Sequence, residues 1–330
     1  MPTDHPRPAA LDHHGACHVQ MLPRELWDEV VSVAAQSDAT GFMLSLSVFC
    51  LLLSRYSGQE DLIIGCPIAG RNWPEVEPLV GFFVNMLPLR VDLSGDPTFR
   101  ELLGRVRETA LAAYSHQDLP FEKLVEELQP ERDLSRTPIF QASFQSLDSP
   151  LPEQLAPGIR VEDIEAPVPI ANFDLYCELT PVPGALRCHM RYRTSLFEAE
   201  TARRLTEHYH GLLRAAVANP DYRLSQLPMV EAPEARQLME LSRGLRTQYP
   251  RETSVHELFQ RQAERTPGAP AVEYSGQRPL SYGELEALAG ALAHRLRSLG
   301  IGSGALVAVW LEPSVEMVVA WLGILKAGAA

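Results

Sequence analysis

Apolar residues switch repeatedly between extended and helical spacing along this chain, and the order of the switches predicts a mixed α/β protein. Ala16 to Leu22 reads as a short strand, and Pro23 to Gln36 as a helix with proline suited to its first turn. Thr40 to Tyr56 is apolar nearly all round, the mark of a buried helix. Asp61 to Gly65 reads as a buried strand, and Phe82 to Leu93 as a long strand that is apolar on both faces. A helix starts after Asp96-Pro97, because Phe99, Leu102, Leu103, Val106, Ala110 and Ala113 recur at the spacing of one helical face. A shorter helix over 121–128 and a strand over 139–146 follow. Residues 148–169 form a proline-rich loop with one strand inside. Asn172–Thr180 and Ala185–Arg193 pair as a hairpin around Pro181-Val182-Pro183-Gly184, and a helix fills Glu198 to Asn219.

The periodicity then weakens. Residues 229–253 are rich in Glu, Pro, Arg and Gly and read as a linker, with a short helical piece near 234–241. A new unit opens at Ser254. Ser254-Val255-His256-Glu257 and Ser281-Tyr282-Gly283-Glu284 both have the Ser-x-x-Glu pattern of a capping box. The expected order is helix (255–265), strand (270–274), helix (282–299), strand (305–311), helix (314–326), which suggests the start of a parallel sheet. Residues 42–53 are too few to span a bilayer, and Glu312, Pro313 and Glu316 interrupt the apolar run 305–325, so no membrane segment is expected. The chain stops directly after a strongly apolar helix, which reads as a cut rather than a natural terminus.

At 330 residues the length suggests about two domains. Hydrophobic residues make up 45%, enough for a core in each, so disorder is excluded as the main state. A net charge of −13 excludes the broad basic field of a nucleic-acid binder, and the 27 Arg are interleaved with acidic residues rather than clustered. Cys17, Cys50, Cys66, Cys177 and Cys188 are odd in number and widely spaced, so most of them read as reduced core residues rather than a disulfide framework. The N-terminus has no apolar signal region, and a cytoplasmic location is expected. His13-His14-Gly15-Ala16-Cys17-His18 has metal-ligand residue types, but it lacks a supporting carboxylate beyond Asp12 and reads as a solvated loop. Gly300-Ile301-Gly302-Ser303-Gly304 precedes a strand rather than following one, so it is a turn and not a phosphate cradle. His116-Gln117-Asp118 sets an acid–base candidate beside a carboxylate, although a helix C-terminus favours His for its dipole alone.

Three segments in order, VGFFVNMLPLR (80–90), HQDLPFEKLV (116–125) and RDLSRTPIF (132–140), resemble the late motifs of condensation domains in nonribosomal peptide synthetases. The resemblance continues through DHPRPA (4–9), LLSRYSGQEDLIIGCPIAGR (52–71), SGDPTFRELL (94–103), NFDLYCEL (172–179) and TSLFEAET (194–201). Residues 254–272 and 280–330 resemble the opening of an adenylation domain, which places 1–228 in a condensation domain, 229–253 in a linker and 254–330 in a truncated adenylation domain.

The resemblance implies a chloramphenicol-acetyltransferase-like lobe, one of two that flank a tunnel. Peptidyl carrier domains upstream and downstream would deliver phosphopantetheine-tethered substrates to it, and adenylation would use ATP with Mg. The family's catalytic motif is His-His-x-x-x-Asp-Gly. At His13-His14 the Asp and Gly positions hold His18 and Val19, so this pair is rejected and no catalytic residue is expected here. The missing N-terminal lobe would carry that motif. Asn85 is the candidate nearest the tunnel, and Met86 stands where Thr is common. His116, Asp118, Pro120, Phe121, Arg132, Asp133 and Arg136 match family motifs and are expected to be structural, as is Lys326. Alternative readings are an epimerization domain and a noncatalytic condensation-like module that recruits partners.

Overall fold

The structure, a computed structural model, describes residues 1–131, 133–147, 154–156, 158–160, 170–244, 247–248, 250–274 and 278–330. Two units emerge, Met1–Ser242 and Arg243–Ala330.

The first unit runs β1 (Gly15–Pro23), α1 (Arg24–Ala35), α2 (Gly41–Ser57), β2 (Asp61–Ile68), β3 (Asn85–Asp92), α3 (Phe99–Tyr114), α4 (Phe121–Leu128) and β4 (Ala142–Ser146). It continues with β5 (Gln154–Ala156), β6 (Ile159–Arg160), β7 (Leu175–Val182), β8 (Ala185–Arg193), α5 (Ala199–Ala218) and α6 (Ala232–Leu241). Six strands form one mixed sheet in the order β1-β8-β7-β4-β2-β3, with β4 parallel to both neighbours and the other pairs antiparallel. Strands β5 and β6 make a separate antiparallel pair.

Helix α2 is the centre of the core. Its residues 43–53 are all buried, and it packs against α1, α3, α5, β2 and β4. A helix apolar on every side can only be stable where every side is covered. Gly58, at φ 70°, ends it in the left-handed region that glycine adopts without strain. Along β7 and β8, Leu175, Cys177, Leu179, Leu186, Cys188, Met190 and Tyr192 are buried in the core. The intervening Tyr176, Glu178, His189 and Arg191 stand on the opposite sheet face, as a period of two requires. Helix α3 opens on a capping box, in which the Thr98 N–H donates to Glu101 at 2.7 Å and the Glu101 N–H to Thr98 Oγ1 at 3.2 Å.

Several expected elements change length for identifiable reasons. The long strand from Phe82 begins only at Asn85, because its partner β2 ends at Ile68, the residue opposite Asn85. The strand expected from Ile139 begins at Ala142, because Ile139 sits at φ 68°, which no strand residue adopts. The hairpin strand β7 runs on through Pro181 to Val182. This is tolerated because the β4 ladder on that side ends at Leu179, so the missing N–H costs no ladder bond. The turn is then Pro183-Gly184, with Gly184 at φ 72°. Beyond β5 and β6, most of 148–169 lies outside the described residues.

The second unit holds α7 (Val255–Arg265), β9 (Pro270–Val272), β10 (Leu280–Ser281), α8 (Tyr282–Ser298) and α9 (Val315–Ala327). Its small core joins Leu285, Ala289 and Leu322, with Phe259, Ala271, Val272, Val318 and Val319 against them. The expected parallel sheet is not formed among the described residues. β9 and β10 pair antiparallel, and residues 305–311 form no strand. Only the start of that segment finds partners, as the Ala330 N–H donates to Ala305 O and the Val307 N–H to Ala330 O. Leu306 and Trp310 remain 88% and 99% exposed.

Candidate functional site

Asn85, the first residue of β3, spends its whole amide on the turn between α3 and α4. Its Nδ2 donates to the carbonyls of Gln117 at 3.0 Å and Leu119 at 2.8 Å, and its Oδ1 accepts from the Phe121 N–H at 3.0 Å. That turn has no ladder of its own, and the N–H of Phe121 is one of those a helix leaves open at its start. Pro120 leads into α4 at φ −61° without donating a side-chain cap, so Asn85 supplies what the cap would. Asp118 Oδ1 accepts from Asn72 Nδ2 at 3.2 Å. His116 is exposed, and among the described residues no hydrogen bond joins it to Asp118, so the two do not make an acid–base pair. With both N–H groups committed, Asn85 holds a shape rather than presenting an open donor.

Phe121 carries the clip into the core. Its ring meets Phe140 at 5.4 Å, and Phe140 meets Phe173 at 5.6 Å. Phe140 lies against Gly65, where an added Cβ would come within 2.0 Å of the ring. Between Pro138 and Phe140 the chain makes a three-residue turn, with the Phe140 N–H donating to Pro138 O at 2.8 Å and Ile139 at φ 68°. Just upstream, Asp133 Oδ1 accepts from the N–H of Ser135 at 2.8 Å and from its hydroxyl at 2.6 Å, and Arg136 pairs with Asp133 at 3.1 Å. The Ser135 hydrogen bonds hold the Asp133 carboxyl below its ordinary range. Arg132 lies outside the described residues. Pro120, Phe121, Asp133 and Arg136 thus sit in turns and packing contacts, and none faces a nucleophile.

Three charged residues from distant segments meet beside this turn. Asp174 accepts from Arg193 Nη1 at 2.7 Å and from both terminal nitrogens of Arg7, which also donates to Ser135 O at 3.0 Å. Arg193 is 2% exposed, so the carboxylate between two guanidiniums is what makes its burial tolerable. β2 and β4 pair at only two positions and then diverge, opening a cleft of about 450 Å³ bordered by Arg7, Asp174, Arg136, Asp61 and Ile139. Its charged side chains each have a partner, Asp61 being held by Arg90 at 2.7 Å.

On the sheet face away from the helices, Glu178 Oε1 lies 3.2 Å from His189 Nδ1, and Tyr176 OH donates to Glu178 Oε2 at 2.8 Å. The His189 hydrogen bond, aided by that of Tyr176, pulls the Glu178 carboxyl down to about 2, against the effect of burial. Sequence reasoning missed this group, the Arg7–Asp174–Arg193 cluster, and Arg71 with Asn72. A signal was present for β8, where Arg187, His189, Arg191 and Arg193 alternate with Leu186, Cys188, Met190 and Tyr192. The pairing of Arg7 with Asp174 spans 167 residues and leaves no local trace.

His13 and His14 are exposed, and β1 takes Cys17 and His18 into its ladder; among the described residues no group of three metal-ligating side chains forms. In the second unit, Lys326 Nζ is paired with Glu286 Oε1 and has a side chain only 11% exposed. Gly300 and Gly304, at φ 78° and 81°, shape a turn that follows α8 and precedes the extended segment. A phosphate cradle needs the opposite order, strand then loop then helix N-terminus. The described residues therefore do not fit ATP or its Mg. Among the described residues no helix is long and apolar enough to cross a membrane.

Comparison with known proteins fits these features. Residues 1–239 match the condensation domain family and residues 259–330 the AMP-binding enzyme family. A linear gramicidin synthase of Brevibacillus parabrevis is 45% identical over 332 residues, covering 100% of this chain and 6% of its own length. Surfactin synthase subunit 1 of Bacillus subtilis (strain 168) is 38% identical over 330 residues, covering 100% of this chain and 9% of its own. The chain thus spans only a small part of the length of these relatives. Among solved structures, a four-domain nonribosomal peptide synthetase bound to AMP and glycine superposes with a TM-score of 0.74 at 27% identity, covering 100% of this chain and 26% of that one. The X-domain from teicoplanin biosynthesis gives 0.64 at 28% identity, covering 70% of this chain and 53% of that one. The chain belongs to the condensation-domain family of nonribosomal peptide synthetases, with the opening of an AMP-binding enzyme following in tandem.

Proposed function

We propose that this chain is a stretch of an elongation module, in which it contributes the second lobe of a condensation domain and the first elements of the adenylation domain that follows. The tandem match of condensation and AMP-binding families carries the reading, and it supports synthesis over epimerization or recruitment. In the parent enzyme, an amine on the downstream carrier's phosphopantetheine arm attacks the upstream thioester. The new C–N bond replaces the C–S bond, and the thiol leaves with the proton. The lobe's part is to align two tethered reactants, which is worth many orders of magnitude in rate when done accurately. Asn85 serves at the tunnel wall by holding the 116–121 turn in place. Residues 1–228 form the lobe, 229–253 the connection and 254–330 the adenylation start. Carrier domains and the preceding lobe are the partners, ATP and Mg act in the adenylation domain beyond these residues, and a cytoplasmic location goes with this reading.

The purified chain itself is expected to form no peptide bond and activate no amino acid, since the sequence has no His-His-x-x-x-Asp-Gly and no ATP cradle forms among the described residues. Dipeptide formation between two loaded carriers, or amino-acid-dependent ATP–pyrophosphate exchange, by the purified chain would overturn this.

A further inference from the structure

Residues 69–84, between β2 and β3, belong to no helix or strand, yet they form a shaped loop with its polarity reversed. The apolar side chains point out: Val80 and Phe82 are 104% and 90% exposed, and Trp73 is 66% exposed. The interior is a cation. Arg71 Nη1 donates to the carbonyls of Val76 at 2.5 Å, Glu77 at 3.0 Å and Leu79 at 2.8 Å, and Nη2 to Gly81 at 3.4 Å. The same guanidinium lies 4.5 Å from the centre of the Phe83 ring. The base is closed by Gly70, at φ 63°, where an added Cβ would come within 1.9 Å of Phe83 O. The two hydrogens of Nη1 are shared among three carbonyls while Nη2 reaches a fourth, so one planar head gathers carbonyls along the whole loop. The loop's shape therefore rests on Arg71 and not on apolar packing.

The loop is also tied to the Asn85 clip. Asn72, next to Arg71, donates to Asp118, and Asn85, one residue past the loop, holds Gln117, Leu119 and Phe121. We infer that Arg71 is a positioning residue for condensation. By filling the 72–83 loop it fixes Asn72 and Asn85, and through them the 116–121 turn at the tunnel wall. This rests on the elongation-module reading above.

The test uses the complete synthetase that carries this chain, with Arg71→Lys and Arg71→Ala. Arg71→Lys keeps the charge over Phe83 but loses the fork. Both variants are expected to slow dipeptide formation from loaded carriers by about tenfold to a hundredfold, the scale of a small misplacement. ATP–pyrophosphate exchange should stay at the parent rate. Amide hydrogen exchange should quicken in 72–83 and 116–121 while α2 and β7 keep their protection. Millimolar guanidinium should restore part of the Arg71→Ala rate, which a misfolded lobe would not allow. Parent-like condensation with a loosened loop, or slowed condensation with exchange unchanged or raised across the whole lobe, would overturn the inference. If the parent synthetase makes no dipeptide, the elongation-module reading fails. Exchange in 116–121 then still decides whether Arg71 governs that turn, and unchanged exchange there sinks it.

Discussion

Ile139 shows how much a single residue position can be made to bear. A β-branched residue at φ 68° costs on the order of 1–3 kcal/mol. It persists because Phe140, the next residue, is seated between Phe121, Phe173 and the bare Cα of Gly65. The slot and the strain are one feature. Gly65→Ala should lower the denaturation midpoint by about 1–3 kcal/mol equivalent, because the ring has nowhere to go. Ile139→Gly should leave it unchanged or raise it, since glycine adopts this conformation freely and the strain relieved offsets the larger chain entropy that glycine loses on folding. Urea melts of the purified chain decide it, and a neutral Gly65→Ala would break the account of the slot. None of this is legible locally. Gly65 reads as one residue of a buried strand, and Ile139 as the start of another. The sequence motifs place both in the right segments, but the contact between them is made only by folding.

Among the elements, paired surfaces are held by polar groups with a definite pH response. Glu178 joins β7 to β8 through His189, and its carboxyl stands near 2 against an ordinary 4.5. A lowered carboxylate stabilises the fold above the unfolded value and loses that contribution as pH falls through 4.5 towards 2. The shift corresponds to about 3 kcal/mol. Glu178→Gln should therefore cost about that much at pH 7, and the gap to the parent should close on acidification to pH 2.5. A gap independent of pH would contradict the pairing. Helix α6 makes a second case. It buries no side chain, and it reaches α5 through Glu234 on His208 at 2.9 Å and Glu231 on Arg214 at 2.8 Å. Tyr56 OH stands 2.7 Å from the other ring nitrogen of His208, which fixes the imidazole for Glu234. Glu234→Gln combined with Glu231→Gln should free the helix, so that amides 232–241 exchange at nearly unprotected rates while α5 is unchanged; retained protection in the double variant would contradict the polar anchoring. The helices were largely legible, because caps and 3–4 spacing are local. Strand ends were less so, since they depend on where the partner ends, as at Asn85 opposite Ile68.

For the whole molecule, the 330 residues divide into two compact units, Met1–Ser242 and Arg243–Ala330. The first unit is a covered sheet-and-helix lobe, while the second leaves Leu306 and Trp310 almost fully in solvent. Continuous apolar runs of this kind are ordinarily inside a sheet, yet 305–311 forms no strand, and its apolar side chains are left without a covering sheet. The candidate site was legible as motifs and illegible as a mechanism. Asn85 stood out by its neighbours in sequence, but its role as a clip depends on carbonyls 32 and 34 residues away. In the proposed function this lobe holds reactants in register, and Asn85 sets part of that register by holding the 116–121 turn. The most direct test is the rate of dipeptide formation from loaded carriers by the complete synthetase carrying Asn85→Ala, with ATP–pyrophosphate exchange followed alongside. Condensation slowed by about tenfold or more, with exchange at the parent rate, is the predicted result. Equal condensation rates for variant and parent would contradict it.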